Sequence, residues 1–204
     1  MILPKIYPIT NEQIAEISHA EQVTKFIDGG LDFIQIREKN ASSNEFYQSA
    51  KEVVKIARKT KAKIIINDRV DIALYTKADG VHLGQDDLPP EKAREILGEK
   101  AIIGLSTHSK KQAIDALKLP IDYIAIGPVF ATKTKITKDS ALGIKGVSEV
   151  RNVIGGFPLT AIGGITVENY NDVLDAGANS VALISAILLP HNKIEVNITK
   201  FNKV

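Results

Sequence analysis

The stretch Lys63–Asp87, KIIINDRVDIALYTKADGVHLGQDD, decides the fold because it holds one complete strand–helix–strand unit. The apolar run Lys63–Asn67 predicts a strand, Val70–Thr76 a short helix and Gly80–Gly84 the next strand. Both strands are mostly apolar without alternation, which is typical of parallel strands covered on both faces. Polar residues follow each strand directly. The stretch therefore predicts a β-α-β unit whose carboxyl edge carries polar groups.

The same alternation recurs along the whole chain. The predicted strands are Lys5–Ile9, Phe33–Arg37, Lys63–Asn67, Gly80–Gly84, Ala101–Leu105, Tyr123–Ile126, Leu159–Ile162 and Ser180–Ile184. The predicted helices are Glu12–Asp28, Ser43–Arg58, Val70–Thr76, Pro90–Leu97, Lys110–Leu117, Gly146–Val153, Val167–Asp175 and Ile194–Phe201. Polar residues follow almost every strand, and no glycine-rich turn follows the first. We therefore predict a (β/α)8 TIM barrel, a single domain over residues 1–204, rather than an open doubly wound sheet.

Composition excludes several classes of function. The chain has 204 residues, a formal net charge of +2 and no cysteine, so disulfides, thiolate metal sites and a cysteine nucleophile are excluded. The small net charge and scattered aromatics favour neither nucleic acid nor an anionic membrane as partner. We see no signal peptide, and the apolar run Val181–Leu189 is far shorter than the ~20 residues that span a bilayer. We expect a cytoplasmic protein.

Carboxylates and cations follow neighbouring predicted strands. Because adjacent strands lie about 4.8 Å apart, Asp68 together with Asp86 or Asp87 could share one hard cation such as Mg²⁺. Arg37 and Lys39 follow the second strand and would face the same point. Acidic and basic groups around one locus suit a Mg²⁺-diphosphate. The alternative is a network of structural ion pairs, which we expect for Arg69–Asp71.

Two further features indicate phosphate binding. The long segment Val129–Gly146, VFATKTKITKDSALGIKG, is rich in Lys and Thr and suits phosphate oxygens, although it could be a solvated surface loop. Gly163–Gly164 after the seventh strand, with Ile184–Ser185 after the eighth, could form a phosphate site; a tight turn is the alternative. Elsewhere, we expect His82 to be a buried, hydrogen-bonded core residue and His108 to lie at a helix start. The sequence contains no Ser-His-Asp or H-E-x-x-H pattern.

These segments together resemble the thiamine phosphate synthase family, from near the N-terminus to about Ile187. The matching motifs, in order, are QIREK (Gln35–Lys39), IINDR (Ile65–Arg69), DGVHLGQDD (Asp79–Asp87), IGLSTHS (Ile103–Ser109), GPVFATKTK (Gly127–Lys135), AIGGI (Ala161–Ile165) and VALISAI (Val181–Ile187). The resemblance implies a (β/α)8 transferase that joins an aminopyrimidine methyl diphosphate to a thiazole ethyl phosphate and releases diphosphate. It also implies Mg²⁺ as cofactor, small-molecule substrates as partners, and a homodimer.

The resemblance assigns a role to each matching position. The expected ligands of the pyrimidine diphosphate are Gln35, Arg37, Lys39, Asn67, Ser106 and Lys135, of which Lys135, Ser106 and Arg37 are expected to be catalytic. The expected Mg²⁺ ligands are Asp68 and Asp87. The expected thiazole phosphate site comprises Thr132, Thr134, Gly164, Ile184 and Ser185. In the family, diphosphate leaves first, and the thiazole nitrogen then attacks the resulting pyrimidine-stabilised cation.

Two departures and two alternatives accompany this assignment. The family commonly has Pro where Ala131 stands and often Glu where Asp86 stands. A related branch, the thiazole tautomerases, keeps the barrel but loses much of the diphosphate site and has a His after the sixth strand. Here Gly127 is followed by Pro128 and Lys135 is retained, which favours the synthase. A barrel that binds phosphate ligands without catalysis is the other alternative.

We expect Lys135→Ala to lower turnover by at least ~10²-fold, the scale of losing one preorganised charge contact. Steady-state turnover with both substrates measures this effect. Near-normal turnover would reject the assigned role of Lys135.

Overall fold

The computed structural model describes residues 1–132 and 140–202, and it contains eight parallel strands in one sheet. The strands are β1 (Ile6–Pro8), β2 (Phe33–Ile36), β3 (Lys63–Asn67), β4 (Gly80–Leu83), β5 (Ile102–Thr107), β6 (Tyr123–Ile126), β7 (Leu159–Ile162) and β8 (Ser180–Leu183). Their spatial order is β1-β8-β7-β6-β5-β4-β3-β2, with every ladder parallel. The predicted (β/α)8 barrel is confirmed.

The barrel closes between its first two strands. An isolated parallel bridge joins Ile9 to Gln35, and the backbone N–H of Thr10 donates to the Gln35 carbonyl at 2.9 Å. On the other side, β1 pairs with β8 through Ile6↔Val181, Tyr7↔Ala182 and Pro8↔Leu183. Closure therefore brings the end of β2 beside the end of β1, and residues following all eight strands can meet at one mouth.

Helices follow the strands around the outside. They are α1 (Glu12–Ala15), α2 (His19–Asp28), α3 (Ser43–Ala57), α4 (Val70–Thr76), α5 (Pro90–Leu97), α6 (Lys110–Ala116), α7 (Gly143–Ile154), α8 (Tyr170–Asp175), α9 (Ser185–Leu188) and α10 (Ile194–Asn202), with a 3₁₀ turn at His191–Lys193. Within the two described ranges, no helix is long and apolar enough to cross a membrane.

The prediction of one helix over Glu12–Asp28 is wrong, because the segment forms two helices. Glu16 ends α1 in the left-handed region at φ 55°. Ser18 then starts α2 with a capping box: its side chain accepts from the Glu21 backbone N–H, and the Glu21 carboxylate accepts from the Ser18 N–H. This reciprocal cap stabilises a new helix start and turns the chain between α1 and α2.

Two other helix predictions need correction, and one short helix was missed. The helix predicted from Gly146 begins at Gly143, and the helix predicted from Val167 begins at Tyr170 after a turn. In that turn, the Asn169 side chain accepts from the Thr166 N–H at 2.8 Å. The short helix α9 was not predicted, because its sequence continues the apolar run of β8 and carries no helical periodicity.

The interior of the barrel holds a small apolar layer with an aromatic centre. It comprises Leu3, Tyr7, Ile9, Phe33, Ile65, Tyr123 and Ala182. The Tyr7 and Phe33 ring centroids are 4.7 Å apart, and both rings lie 6.0 Å from the Tyr123 ring. Gly104 on β5 makes room for Tyr123, since a Cβ there would lie 2.1 Å from Tyr123 Cζ. This layer forms a solid floor beneath the mouth.

Gly104→Ala should therefore lower the free energy of unfolding by about 1–3 kcal/mol, because the added methyl collides with a buried ring. Urea denaturation measures the loss. Gly156→Ala is the matched control, since nothing lies within 4 Å of a Cβ at Gly156. Equal effects of the two substitutions would contradict the assignment of Gly104 to this contact.

Candidate active site

A cavity opens at the carboxyl ends of the strands and gathers most of the predicted site residues. Predicted residues that line it are Gln35, Arg37, Asn67, Ser106, Thr132, Gly164, Ile184 and Ser185. Three others, Lys39, Asp68 and Asp87, stand outside this lining and meet one another beside it. Thr134 and Lys135 lie outside the described residues.

The two predicted metal ligands approach each other across neighbouring strand ends. Asp68 follows β3 in the left-handed region at φ 61°, and its N–H donates to the His82 carbonyl of β4 at 2.8 Å. Asp87 Oδ2 accepts from the Gly84 N–H at 2.6 Å. Burial raises the pKa of Asp87, and the nearby Asp68 carboxylate raises it further. Asp86, the alternative partner, is exposed.

Cations from the end of β2 face this pair. Lys39 Nζ forms an ion pair with Asp68 Oδ2. Half-buried Arg37 lines the cavity, and burial lowers its pKa while the charges of Asp68 and Glu38 oppose that shift. Two carboxylates and two cations thus lie close together, and one of the carboxylates belongs to a residue with a left-handed backbone. This combination is typical of a functional site.

The loop that carries Lys39 is shaped by Glu38. Glu38 Oε1 accepts from the backbone N–H groups of Lys39 and Asn40, both at 2.6 Å, and of Ala41 at 3.2 Å. Burial alone would raise the pKa of Glu38, but these N–H groups and His19 lower it below its usual value. Glu38 therefore stays ionised and holds the loop after β2 in one conformation.

Behind this loop lies a second group of potential ligands. Atoms of Glu12, His19 and Glu38 lie within 4.8 Å of one another. Buried His19 places Nε2 3.4 Å from Glu38 Oε2, and its Nδ1 lies 2.7 Å from Thr10 Oγ1. Burial lowers the pKa of His19 although both carboxylates raise it. The hydrogen bonds of this group account for its placement without a metal ion.

Asn67 carries a polar group with no partner among the described residues. Its side chain is only 7% exposed and lines the cavity, yet Nδ2 has no hydrogen-bond partner within residues 1–132 and 140–202. A buried unpaired amide costs free energy, so such a group in a cavity wall indicates a ligand atom that it would bind.

The glycines after β7 meet the segment after β6. Gly163 and Gly164 have φ of 105° and 64°, and a Cβ on Gly164 would lie 2.6 Å from the Ala131 carbonyl oxygen. The Phe130 N–H donates to the Gly163 carbonyl at 2.9 Å. The positive φ and the close approach require glycine here for geometry, and Gly164 also lines the cavity beside Ser185, so the phosphate site expected at this turn stays a prediction.

Three structural expectations are confirmed. Arg69 forms an ion pair with Asp71 at 2.5 Å. The His108 N–H donates to the Gln112 side chain of α6 at 2.6 Å, so His108 lies at a helix start. His82 is buried and hydrogen-bonded. His82 and His108 also line the cavity, which agrees with the alternative that His108 touches substrate and was not predicted for His82.

Tyr7 is another cavity residue that the sequence analysis missed. The available signal is the period of two along each strand, because inward positions alternate. Tyr7 on β1, Gln35 on β2 and Tyr123 on β6 all occupy inward positions and carry polar atoms. A polar side chain at an inward barrel position is therefore a candidate site residue even when it lies before the strand end.

Comparison with known proteins gives a consistent result. The family described as Thiamine monophosphate synthase matches residues 6–187. Thiamine-phosphate synthase of Clostridium novyi is 45% identical over 185 residues, covering 90% of each chain. That of Lawsonia intracellularis is 43% identical over 188 residues, covering 92% of this chain and 86% of its own. The solved thiamine phosphate pyrophosphorylase of Pyrococcus furiosus superposes with a TM-score of 0.88 at 34% identity, covering 98% of this chain and 94% of its own. The chain belongs to the thiamine monophosphate synthase family.

Proposed function

We propose that the protein is a thiamine phosphate synthase, which transfers the aminopyrimidine methyl group from its diphosphate to thiazole phosphate and releases diphosphate. The observation that carries the proposal is the meeting of Asp68, Asp87 and Lys39 beside a cavity into which the unpaired amide of Asn67 faces. Binding of a metal diphosphate would satisfy all of these groups at once. By family resemblance, we further propose a cytoplasmic homodimer that acts on small molecules.

The donor set fits Mg²⁺. Asp68 and Asp87 offer only carboxylate oxygens, the ligands this hard cation prefers, and substrate oxygens and water complete such a site. The raised pKa of Asp87 reflects burial and a neighbouring negative charge, and a cation held between the carboxylates would relieve both effects. When bound, Mg²⁺ would neutralise charge on the leaving diphosphate.

Residues of the chain would supply the remaining stabilisation. Arg37 and Lys39 place fixed positive charge beside the carboxylates, where diphosphate develops charge as its bond to carbon breaks. Asn67 Nδ2 would donate to a diphosphate oxygen. Gln35 and Ser106 line the deeper cavity and would hold the pyrimidine part of the substrate. No protein nucleophile is required.

The opposite wall would take the thiazole phosphate. Thr132, Gly164, Ile184 and Ser185 line that side of the cavity, and Thr134 completes the set expected from the family. Backbone N–H groups near the β7 and β8 ends suit phosphate oxygens in barrels of this class. The two substrates would then face each other across the cavity. Lys135, on the intervening segment, would help exclude water from the reactive cation.

The assignment is tested by incubating the protein with both substrates, with and without Mg²⁺, and measuring diphosphate. We expect release only when both substrates and Mg²⁺ are present. Asp68→Asn should lower the rate by about 10²-fold, because one ligand charge is lost. Asp115→Asn is the matched control: it changes an exposed carboxylate on α6 that pairs with Lys118, and it should leave the rate unchanged.

Other outcomes of this assay favour the rival functions. Substrate binding without diphosphate release would indicate a non-catalytic phosphate-binding barrel. Isomerisation of a thiazole phosphate without the pyrimidine substrate would indicate a tautomerase.

Asn67→Ala should lower kcat/KM for the pyrimidine diphosphate by about 10- to 100-fold, the equivalent of 1–3 kcal/mol for a lost buried partner. The free energy of unfolding should change by less than about 1 kcal/mol, because the amide nitrogen has no hydrogen-bond partner to lose among the residues that the structure describes.

Ser180→Ala is the matched control. Its buried hydroxyl also has no partner in the described ranges, but it lies at the start of β8, at the other end of the barrel from the mouth. This variant should retain kcat/KM. A loss of stability without a loss of activity in Asn67→Ala would contradict the role of the amide.

A further inference from the structure

A continuous chain of hydrogen bonds crosses the barrel at the floor of the cavity. Gln35 Nε2 donates to Tyr7 Oη at 2.9 Å, and Tyr7 Oη lies 2.9 Å from Tyr123 Oη. Tyr123 Oη lies 2.9 Å from His82 Nδ1, and His82 Nε2 lies 2.9 Å from Ser106 Oγ. The chain links β2, β1, β6, β4 and β5, and it starts and ends at residues that line the cavity.

The donation from Gln35 gives the later bonds a direction. Tyr7 Oη accepts from the Gln35 amide, and among the described residues Tyr123 Oη is the acceptor within reach of the single Tyr7 hydroxyl proton. Tyr123 in turn gives its proton to His82 Nδ1. A neutral imidazole carries one N–H proton. Because Nδ1 accepts from Tyr123, that proton resides on Nε2, which donates to Ser106 Oγ.

We propose that this chain is a positioning device for the reaction: it fixes the Nε2–H tautomer of His82, which makes Ser106 an acceptor and turns its hydroxyl proton towards the substrate. The proposal rests on the proposed function, and it adds Tyr7, Tyr123 and His82 as positioning residues. Ser106 is the group that would touch substrate, through an acceptor atom of the pyrimidine diphosphate.

Burial keeps the direction of the chain constant. Tyr7 and Tyr123 are 1% and 0% exposed. Burial raises the pKa of both hydroxyls well above the ordinary value for tyrosine, so neither loses its proton at neutral pH. The His82 and Tyr123 rings also stack, with centroids 5.5 Å apart and planes at 27°, which restricts the imidazole to one orientation.

The hydroxyls of Tyr7 and Tyr123 do more than satisfy each other's hydrogen bonds inside the barrel. Packing alone would be served by phenylalanine at 7 and 123, since Phe33 already lies in the same layer. The two hydroxyls instead connect an amide and a hydroxyl that both face the cavity. A preorganised donor at the reacting substrate lowers the barrier because it needs no reorientation during the reaction.

The tautomer is tested first, on the free protein. Nitrogen-15 NMR of the histidine rings, with the His82 signals assigned by their loss in His82→Gln, should show a proton on Nε2 and none on Nδ1. A proton on Nδ1 would overturn the proposal. This measurement does not depend on turnover. It therefore separates failure of the hydrogen-bonded chain from failure of the proposed function.

The contribution to catalysis is tested with Tyr123→Phe, which removes one hydroxyl from the buried layer. We expect kcat to fall about tenfold, the equivalent of one hydrogen bond, with little change in KM for thiazole phosphate. The His82 tautomer should become mixed. Tyr170→Phe removes another buried hydroxyl, bonded to the Phe201 carbonyl on the outside of the barrel, and should leave kcat unchanged.

Whether Tyr123 affects turnover through Ser106 is tested by making Tyr123→Phe in a Ser106→Ala variant. If Tyr123 acts through Ser106, Tyr123→Phe should cost no further activity there, because the end of the chain is already missing. The same tenfold loss in both backgrounds would overturn the proposal and assign Tyr123 a packing role only.

Discussion

Two carboxylates held side by side at the mouth of a barrel are the feature on which the rest of the site depends. The parallel pairing of β3 with β4 places Asp68 against β4, and the turn after β4 brings Asp87 back to it. Like charges this close repel, so the pair persists only with compensation. Lys39 supplies one positive charge in the folded chain, and a divalent cation would supply the rest.

The surrounding structure places a fixed cation and a rigid cavity floor next to the two carboxylates. Glu38, ionised and bonded to three successive backbone N–H groups, fixes the loop that presents Lys39. Below the mouth, the aromatic layer around Tyr7 and Tyr123 gives the cavity a rigid and hydrogen-bonded floor. The site thus combines a charged rim, suited to a diphosphate, with a largely apolar interior that carries a few hydrogen-bonding groups and is suited to a heterocycle.

Local periodicity was enough to predict the barrel. Strand Lys63–Asn67 and helices Val70–Thr76 and Pro90–Leu97 have the bounds that the sequence indicates, because strong apolar runs and a proline start define them. The break between α1 and α2 was missed because a tertiary turn outweighs the helical pattern of the segment. Most predicted site residues gather at the mouth, since strand ends converge in any closed parallel sheet.

Other parts of the site depend on contacts that a sequence does not display. The hydrogen-bonded chain from Gln35 to Ser106 joins residues from five strands, and only the barrel register brings them together. The unpaired amide of Asn67 is likewise visible only once its surroundings are known. The roles of Thr134 and Lys135 stay predictions, because both lie outside the described residues.

The most direct test of the central claim is the position of a bound metal. Anomalous diffraction from a crystal grown with Mn²⁺ and diphosphate would locate the ion. We predict one peak between the carboxylates of Asp68 and Asp87, in contact with diphosphate. A peak at Glu12, His19 and Glu38, with the two aspartates unliganded, would contradict the account.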